Sequence, residues 1–363
     1  VAEADFWQET MNDTFLIYGS YGYTGDLIAR EAVARGLRPI LAGRDPQRLA
    51  QQAAELGLQH IAFSLDDSET LDLALQRVRI VLHCAGPFSR TAQPMIEGCL
   101  RNRVHYLDIT GEIAEFEALA QRSAEAQALG VMLLPGAGFD VVPSDCLASH
   151  LKQRLPTADR LALGVRGLGS GISRGTLNTT AESLSSATWV RRDGRLVEQH
   201  PGSVTRQINF GRGLESCVAI GWGDVATAFY STGIPNIEVY FAFPRAMRWG
   251  MRGMGYLGPL LDTQPVQAAL RALIQRQPPG PNAEQRARGR SLLWGEVRDP
   301  AGQRRVSRLS TPEGYTLTVL ATLAIVEKAL AGQVTPGFQT PSLAYGPDLV
   351  LELPGVTRED VAS

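Results

Sequence analysis

Lysine is nearly absent from this chain. Of 35 basic residues only Lys152 and Lys328 are lysines, the rest being arginine. A mechanism built on a catalytic lysine therefore has two candidates. Neither has a tyrosine four positions before it, which excludes the Tyr-x-x-x-Lys pair of ordinary alcohol dehydrogenation. Cysteine is scarce too. Cys84, Cys99, Cys146 and Cys217 stand far apart with no C-x-x-C pair, a pattern that gives neither a zinc site nor a disulfide framework and fits a reducing, cytoplasmic setting. No metal is expected. The net charge of -2 shows no excess of one sign, so nothing points to a nucleic acid partner. No run of 18 apolar residues exists, so no spanning helix is expected. Val1–Thr10 lacks the basic start and apolar core of a signal peptide and reads as a variable leader ahead of Met11.

What is present is an ordinary globular composition, 44% hydrophobic and 20% charged over 363 residues, a length that suits two domains. The chain is organised around F-L-I-Y-G-S-Y-G-Y-T-G-D-L-I-A-R, Phe15 to Arg30. A short apolar run reads as a buried strand, Gly19, Gly22 and Gly25 follow at a spacing of three, and a helical pattern opens at Asp26–Leu27. Strand, glycine loop and helix start are the context of a dinucleotide site. Glycine lets the backbone approach a diphosphate with no Cβ in the way, and a helix N-terminus offers free N–H groups and a positive dipole end.

Beyond the loop, helices and strands alternate. Strands are predicted at Pro39–Ala42, His60–Leu65, Arg79–Cys84, Val104–Ile109 and Val131–Leu134. Helices are predicted at Leu27–Arg35, Pro46–Glu55, Glu69–Gln76, Gln93–Asn102, Glu115–Leu129 and from Pro143 to Leu155, the last capped by Ser144 or Asp145. This alternation implies a parallel sheet with helices on both faces. At the end of the second strand an NAD site places an acid and an NADP site a small residue with an arginine beside it. Gly43 leaves room for a 2′-phosphate, Arg44 binds it, and Arg48 supports it from the next helix. The rival reading has Asp45 serving a ribose hydroxyl. NADP is the expected cofactor. Its remaining contacts are expected from Ser20, Tyr21, Tyr23, Thr24, Asp66, Ala85, Gly86, Pro87, Thr110 and Gly111, since ligands lie beyond the carboxyl ends of parallel strands.

From about Leu161 the pattern changes. Gly167–Gly171 reads as a glycine-dense loop that Ser173-Arg174-Gly175-Thr176 ends, a helix is predicted from there to about Trp189, then strands at Val204–Phe210, Ser216–Ile220, Glu238–Phe243, Leu292–Val297 and Arg304–Leu309, the last two a hairpin around Asp299-Pro300-Ala301-Gly302. Glu313–Ala331 is a helix that stops at Gly332.

The motifs G-S-Y-G-Y-T-G, L-A-G-R-D, C-A-G-P-F, H-Y-L-D-I-T-G-E, G-A-G-F-D-V-V-P-S-D and T-P-E-G-Y-T-L-T, in this order, resemble the saccharopine dehydrogenase-like NADP-binding oxidoreductases, in the branch of saccharopine dehydrogenase-like oxidoreductases and trans-acting enoyl reductases. The resemblance runs from Phe15 to Leu353. It implies an α/β fold: an N-terminal Rossmann domain with a parallel sheet (residues 11–155), a second α/β domain of mixed or antiparallel sheet for substrate and dimerisation (156–312), and a C-terminal helix and tail returning to the first domain (313–363). A homodimer is the expected assembly.

Hydride transfer needs an acid to supply the matching proton. Asp140, at a strand end beside the expected nicotinamide, is the first candidate, with Tyr23 second. Asp108 and Glu112 bracket another strand end, and His105 reads as structural. Arg166, Arg174, Arg206 and Arg212 are candidates to hold a substrate carboxylate. Ile237–Leu261 is apolar, aromatic and methionine-rich, and three readings stand open for it: a tunnel lining, a packed or dimer interface, or a peripheral membrane contact. The leading expectation is NADPH-dependent reduction of an enoyl C=C bond on a small or lipid- or polyketide-type molecule. The alternatives are reduction of a C=N bond formed from an amine and an oxo acid, and a non-catalytic NADP(H) sensor.

Overall fold

The computed structural model describes residues 14–169, 173–175, 177, 188–200, 202–243 and 263–362. The chain forms two compact units that divide between Phe139 and Asp140, between Leu317 and Thr318, and between Ala344 and Tyr345. The first unit holds residues up to 139 together with 318–344, and the second holds 140–317 and 345 onward.

In the first unit β1 (Phe15–Tyr18), β2 (Ile40–Gly43), β3 (His60–Ala62), β4 (Ile80–His83), β5 (His105–Asp108) and β6 (Met132–Leu134) are joined at the edge by β15 (Gly337–Phe338). Their order is β3-β2-β1-β4-β5-β6-β15, all parallel. That is the doubly wound order, with the chain reversing direction across the sheet between β1 and β4. β1, β2, β4 and β6 are buried along their whole length, as apolar strands covered by helices on both faces must be. Leu16 and Ile17 are fully enclosed, each worth about 1.5–3 kcal/mol of apolar transfer.

Helices differ from the sequence expectation mainly at their ends. The first spans Tyr23–Ala34, beginning inside the glycine loop rather than at Leu27. The helix expected from Gln93 starts at Phe88 and runs to Asn102. The long helix expected over Glu115–Leu129 is two, Ile113–Gln121 and Ser123–Leu129, broken at Arg122, where ψ opens to 2°. Glu313 accepts hydrogen bonds from Tyr315 N and Thr316 N and so caps the helix Gly314–Leu330.

The second unit is built on a nine-stranded mixed sheet: β7 (Arg160–Leu168), β8 (Thr188–Arg192), β9 (Arg195–Gln199), β10 (Thr205–Asn209), β11 (Leu214–Ala219), β12 (Asn236–Phe241), β13 (Arg290–Arg298), β14 (Arg304–Pro312) and β16 (Thr357–Val361). The order is β10-β11-β12-β7-β13-β14-β16, with β8 and β9 added beside β12. β7 and β12 are parallel, and the other pairs are antiparallel. The hairpin at Asp299–Gly302 forms, with Gly302 at φ +84°. Trp189, expected to end a helix, lies in β8; residues 178–187, the body of that prediction, fall outside the described residues. So do 244–261, most of the Ile237–Leu261 stretch, and the leader 1–13. Residues 345 onward, expected with the first domain, count with the second unit, where β16 pairs with β14.

The helix Val142–Arg154 covers one face of this sheet: a Cβ on Gly295 of β13 would lie 2.5 Å from Leu151 Cδ1. It has no side-chain cap. Contrary to expectation, Ser144 donates its hydroxyl to Val141 O instead. No helix among the described residues is long and apolar enough to cross a membrane.

Candidate nucleotide-binding edge and active site

The glycine loop is tight because each glycine touches backbone. Gly19 sits at φ +83°, and a Cβ there would lie 2.8 Å from Ala85 Cβ. A Cβ on Gly25 would lie 2.4 Å from Gly19 O. Gly22 N donates to Gly19 O at 3.0 Å, and Gly19 N donates to Ala42 O at 2.8 Å. The loop therefore rests on β2 on one side and on the β4 end on the other. Gly22 precedes the helix Tyr23–Ala34 without a side-chain cap. The first-turn N–H groups of Tyr23, Thr24 and Gly25 stand at the helix start, where an anion would meet the positive dipole end. Ser20 points the other way. Its hydroxyl is buried and donates to Gln52 Oε1 at 2.8 Å, so only its backbone remains for a cofactor.

At the end of β2 the structure corrects one expectation. Gly43 does not leave an empty space. A Cβ there would lie 2.6 Å from Cε1 of Tyr21, so the missing side chain admits the Tyr21 ring. The Tyr21 hydroxyl accepts from Arg44 N and Asp45 N, both at 3.1 Å. Arg48 is not extended toward a phosphate. Its guanidinium lies 4.5 Å above the Tyr21 ring and donates to Tyr21 O at 3.0 Å. Asp45 caps the helix Pro46–Leu56, accepting from Gln47 N and Arg48 N, and is thereby occupied. Arg44 is exposed, with no side-chain hydrogen bond or ion pair among the described residues. Of the residues named for the 2′-position, Arg44 alone has its charged group at liberty. Asp66, at the β3 end, is exposed in a turn, where it accepts from Ser64 Oγ at 3.1 Å.

The ends of β4, β5 and β6 are knotted by polar contacts. Asp108 is fully buried. It accepts from Tyr106 Oη at 2.8 Å, Thr110 N at 2.9 Å and Gly136 N at 2.8 Å. Burial raises its pKa to about 6 even against these three donors. Thr110 is buried, and its hydroxyl accepts from Glu112 N. The Glu112 carboxylate accepts from Phe88 N and Ser89 N, each at 3.0 Å. It thus closes the N-terminus of Phe88–Asn102, the helix that follows Ala85-Gly86-Pro87, so this helix start is filled by protein while that at Tyr23 is not capped by a side chain. Gly136 takes φ +74° to bring its N–H to Asp108. His105 is half-buried and its Nδ1 accepts from Met132 N, the structural role its sequence position implied.

Residues 15–134 match the family model described as saccharopine dehydrogenase NADP binding domain. The chain is 31% identical over 148 residues to the trans-acting enoyl reductase of Mycobacterium leprae (strain TN), covering 39% of this chain and 35% of that protein. It is 26% identical over 162 residues to the saccharopine dehydrogenase-like oxidoreductase of Homo sapiens, covering 39% of this chain and 37% of the relative. These matches span little more than a third of either relative's length. The fold resembles the apo saccharopine dehydrogenase (L-Glu forming) of Saccharomyces cerevisiae, with a TM-score of 0.68 over 96% of this chain and 100% of that one, at 12% identity. Residues 15–134 are thus similar to a saccharopine dehydrogenase NADP binding domain.

The match ends at Leu134, the last residue of β6, well short of the Leu353 to which the resemblance was expected to run. Within this segment the cradle fits the nucleotide. Glycines face backbone where a Cβ would clash, a helix start without a side-chain cap follows, and an arginine with no ion pair among the described residues stands at the β2 end.

Sequence reasoning missed two polar residues of this unit. His83 ends β4; its Nδ1 lies 3.3 Å from Tyr106 Oη. Since Tyr106 donates to Asp108, the Nδ1 of His83 carries the hydrogen, and its buried Nε2 has no partner among the described residues. Burial lowers the His83 pKa to about 3 and keeps the ring neutral. Gln52 pins the loop, donating to Ser20 O and Asp26 Oδ1. A histidine closing the apolar run I-V-L-H was the available signal; nothing in the local sequence ties Gln52 to Ser20.

Asp140 belongs to the second unit. Its backbone oxygen accepts from Trp222 Nε1 at 2.8 Å, and burial raises its carboxyl to about 6. Trp222 lies against Phe241 (centroids 4.7 Å apart), which stacks on Phe243 at 5.6 Å. All three rings are part-exposed. Of the arginines named for a carboxylate, Arg166 is paired with Glu215 and Arg206 with Glu296. Arg174 donates to Gln275 O at 3.4 Å, and Arg212 sits in the exposed turn between β10 and β11. Among the described residues no group of side chains is arranged to hold a metal.

Proposed function

We propose that this chain is an NADPH-dependent oxidoreductase that reduces an enoyl C=C bond on a lipid- or polyketide-type molecule. The observation that carries the substrate class is the aromatic series Trp222, Phe241 and Phe243 beside Asp140. Part-exposed stacked rings favour an apolar chain, and the arginines a carboxylated partner would need at Arg166 and Arg206 are committed to acids. The chain's partial likeness to proteins named trans-acting enoyl reductase supports the same reading.

The loop Gly19–Gly25 and the segment Ala85–Pro87 hold the dinucleotide, and Arg44 meets its 2′-phosphate. When bound, NADPH supplies a hydride to one carbon of the double bond. Asp140 supplies a proton to the other. Its pKa near 6 suits an acid that gives up a proton near neutral pH. Trp222 fixes the Asp140 backbone through one hydrogen bond, and the part-exposed aromatic side chains of the same unit suit an apolar chain. Tyr23, in the first helical turn, serves the cofactor rather than the proton.

NADPH consumption followed at 340 nm across a panel of enoyl esters and thioesters, beside amine and oxo-acid mixtures, tests this reading. Turnover of an enoyl compound is expected. Turnover confined to amine and oxo-acid mixtures establishes the C=N alternative, and tight NADPH binding with no turnover on either panel establishes the sensor.

A further inference from the structure

The face of the second unit's sheet opposite helix Val142–Arg154 is divided in two. Over one part Ile208 and Phe210 pack on β7, where a Cβ on Gly164 would lie 2.7 Å from Ile208 Cδ1. Over the rest the side chains are charged, and they line a concavity of about 570 Å³, within the range of small-molecule sites.

The strand register explains the charge. Arg298 of β13 is directly opposite Arg160 of β7 and, on its other side, directly opposite Arg304 of β14. Three arginines therefore stand abreast on neighbouring strands. Like charges in such positions are destabilising, and the protein offsets them only in part. Glu296, with a side chain 2% exposed, takes Arg298 at 2.8 Å and also pairs with Arg304 and Arg206. Burial pushes the Glu296 carboxyl up, but its arginines hold it below the ordinary range. Glu238 is taken by Arg192 and by the Tyr240 hydroxyl. Among the lining residues Arg160, Arg192, Arg206 and Arg298 face only Glu238 and Glu296, so two positive charges are in excess, and Arg304, which pairs with the lining Glu296 from the neighbouring strand, adds a third. Arg160 has no side-chain hydrogen bond or ion pair among the described residues, while the side chains of Arg298 and Arg304 are 53% and 52% exposed. Each guanidinium carries five N–H donors in a planar fork. Most of those on Arg160, Arg298 and Arg304 meet no acceptor among the described residues.

We propose that this concavity binds a small multivalent oxyanion, carboxylate or phosphate, clamped by the row Arg160, Arg298 and Arg304. The ligand lies against the sheet face, supplying the negative charge that Glu296 alone does not. The site is separate in its residues from the nucleotide cradle and does not depend on the reading of the reaction. A second copy of this chain stacked on the same face would set like charges against one another, which favours the small anion.

The test is calorimetric titration of the full chain with citrate and with inorganic pyrophosphate, at ionic strength matched by sodium chloride. Saturable binding of at least one probe is expected, and which of the two binds more tightly distinguishes a carboxylate from a phosphate ligand. Arg160→Ala and Arg298→Ala are each expected to weaken it about tenfold or more, as loss of a charge-assisted contact does. Arg298→Lys should recover part of the loss. NADPH binding by each variant checks that the fold is kept, and both positions are exposed enough to permit it. No saturable binding beyond the chloride control overturns the proposal. So does binding unchanged in the Arg160→Ala/Arg298→Ala double variant, or a double variant that changes only the oligomeric state in light scattering.

Discussion

The ring of Tyr21 occupies the place where a side chain on Gly43 would be, 2.6 Å from an added Cβ, and its hydroxyl receives the backbone N–H groups of Arg44 and Asp45. The glycine loop thus orients the β2 end directly: one aromatic side chain of the loop positions the backbone that carries Arg44.

Gly43→Ala follows from this contact. The methyl group displaces the ring, and two N–H groups lose their acceptor. Overpacking of this kind costs about 1–3 kcal/mol, so NADPH affinity by fluorescence titration is expected to fall about tenfold. Tyr21→Phe keeps the ring and removes only the acceptor, and its effect should be smaller. An alanine variant that binds as the parent does would mean the ring is free to move aside.

Arg44→Ala separates the two nicotinamide cofactors. A charge-assisted hydrogen bond to a phosphate is worth about 1.5–3 kcal/mol, so NADPH affinity should drop by roughly ten- to a hundredfold while that for NADH stays level. Equal losses for both would return the 2′-position to another residue.

Asp108 makes stability depend on pH in a definite direction. Its folded-state pKa of about 6 lies above the unfolded carboxylate value of about 3.9, so the native state holds the proton more tightly. The stability linked to this group is complete below about pH 4 and is lost as pH rises through about 6. Asp108→Asn removes that slope. Its amide oxygen can still accept from Thr110 N and Gly136 N, and its NH2 can donate to Tyr106, which then turns its own hydrogen elsewhere. Urea unfolding of parent and variant between pH 4 and 7 should show the parent's advantage shrinking as pH rises. Parallel curves would place the shifted proton on another group.

Asp140→Asn probes the proton donor. With Asp140 protonated below about pH 6, kcat should fall as pH rises through that value. The variant should lose about 10²–10⁴ in kcat, the usual worth of a general acid, with NADPH affinity unchanged. A variant that keeps both its rate and its pH profile removes Asp140 from the chemistry.

The buried strands of the first unit were legible because each is a short apolar run between turn signals, and parallel strands covered on both faces need just that. Helix ends were less so. The start at Tyr23 is hidden by three glycines of poor helix propensity, since tertiary contact at Gly19 and Gly25 sets the backbone there. β7 was not read as a strand because Gly164 and Gly167 interrupt its alternation, yet Gly164 is required where Ile208 packs on the face. The NADP cradle was visible in its glycines and in Arg44. The role of Gly43, the placement of Arg48 and the chain His83–Tyr106–Asp108 depend on side chains from different strands meeting, which spacing along one strand does not disclose. The fold match to a solved structure covers 96% of the chain at 12% identity, so it supports the architecture of the second unit while leaving its side chains to be read individually.

β15 pairs with β6 through Gly337 and Met132, so the first unit is assembled from chain segments that lie far apart in synthesis. At about 5–20 residues per second, the ribosome needs on the order of 10–40 s after completing β6 to deliver the strand that covers its edge. During that interval the sheet ends in an open, apolar edge, the kind that recruits foreign strands. A fragment cut after Phe139 would keep every glycine of the nucleotide cradle and hold that unfinished edge permanently. Such a fragment should aggregate even though it carries the whole binding signature, and adding residues 318–344 in trans should restore it to solution.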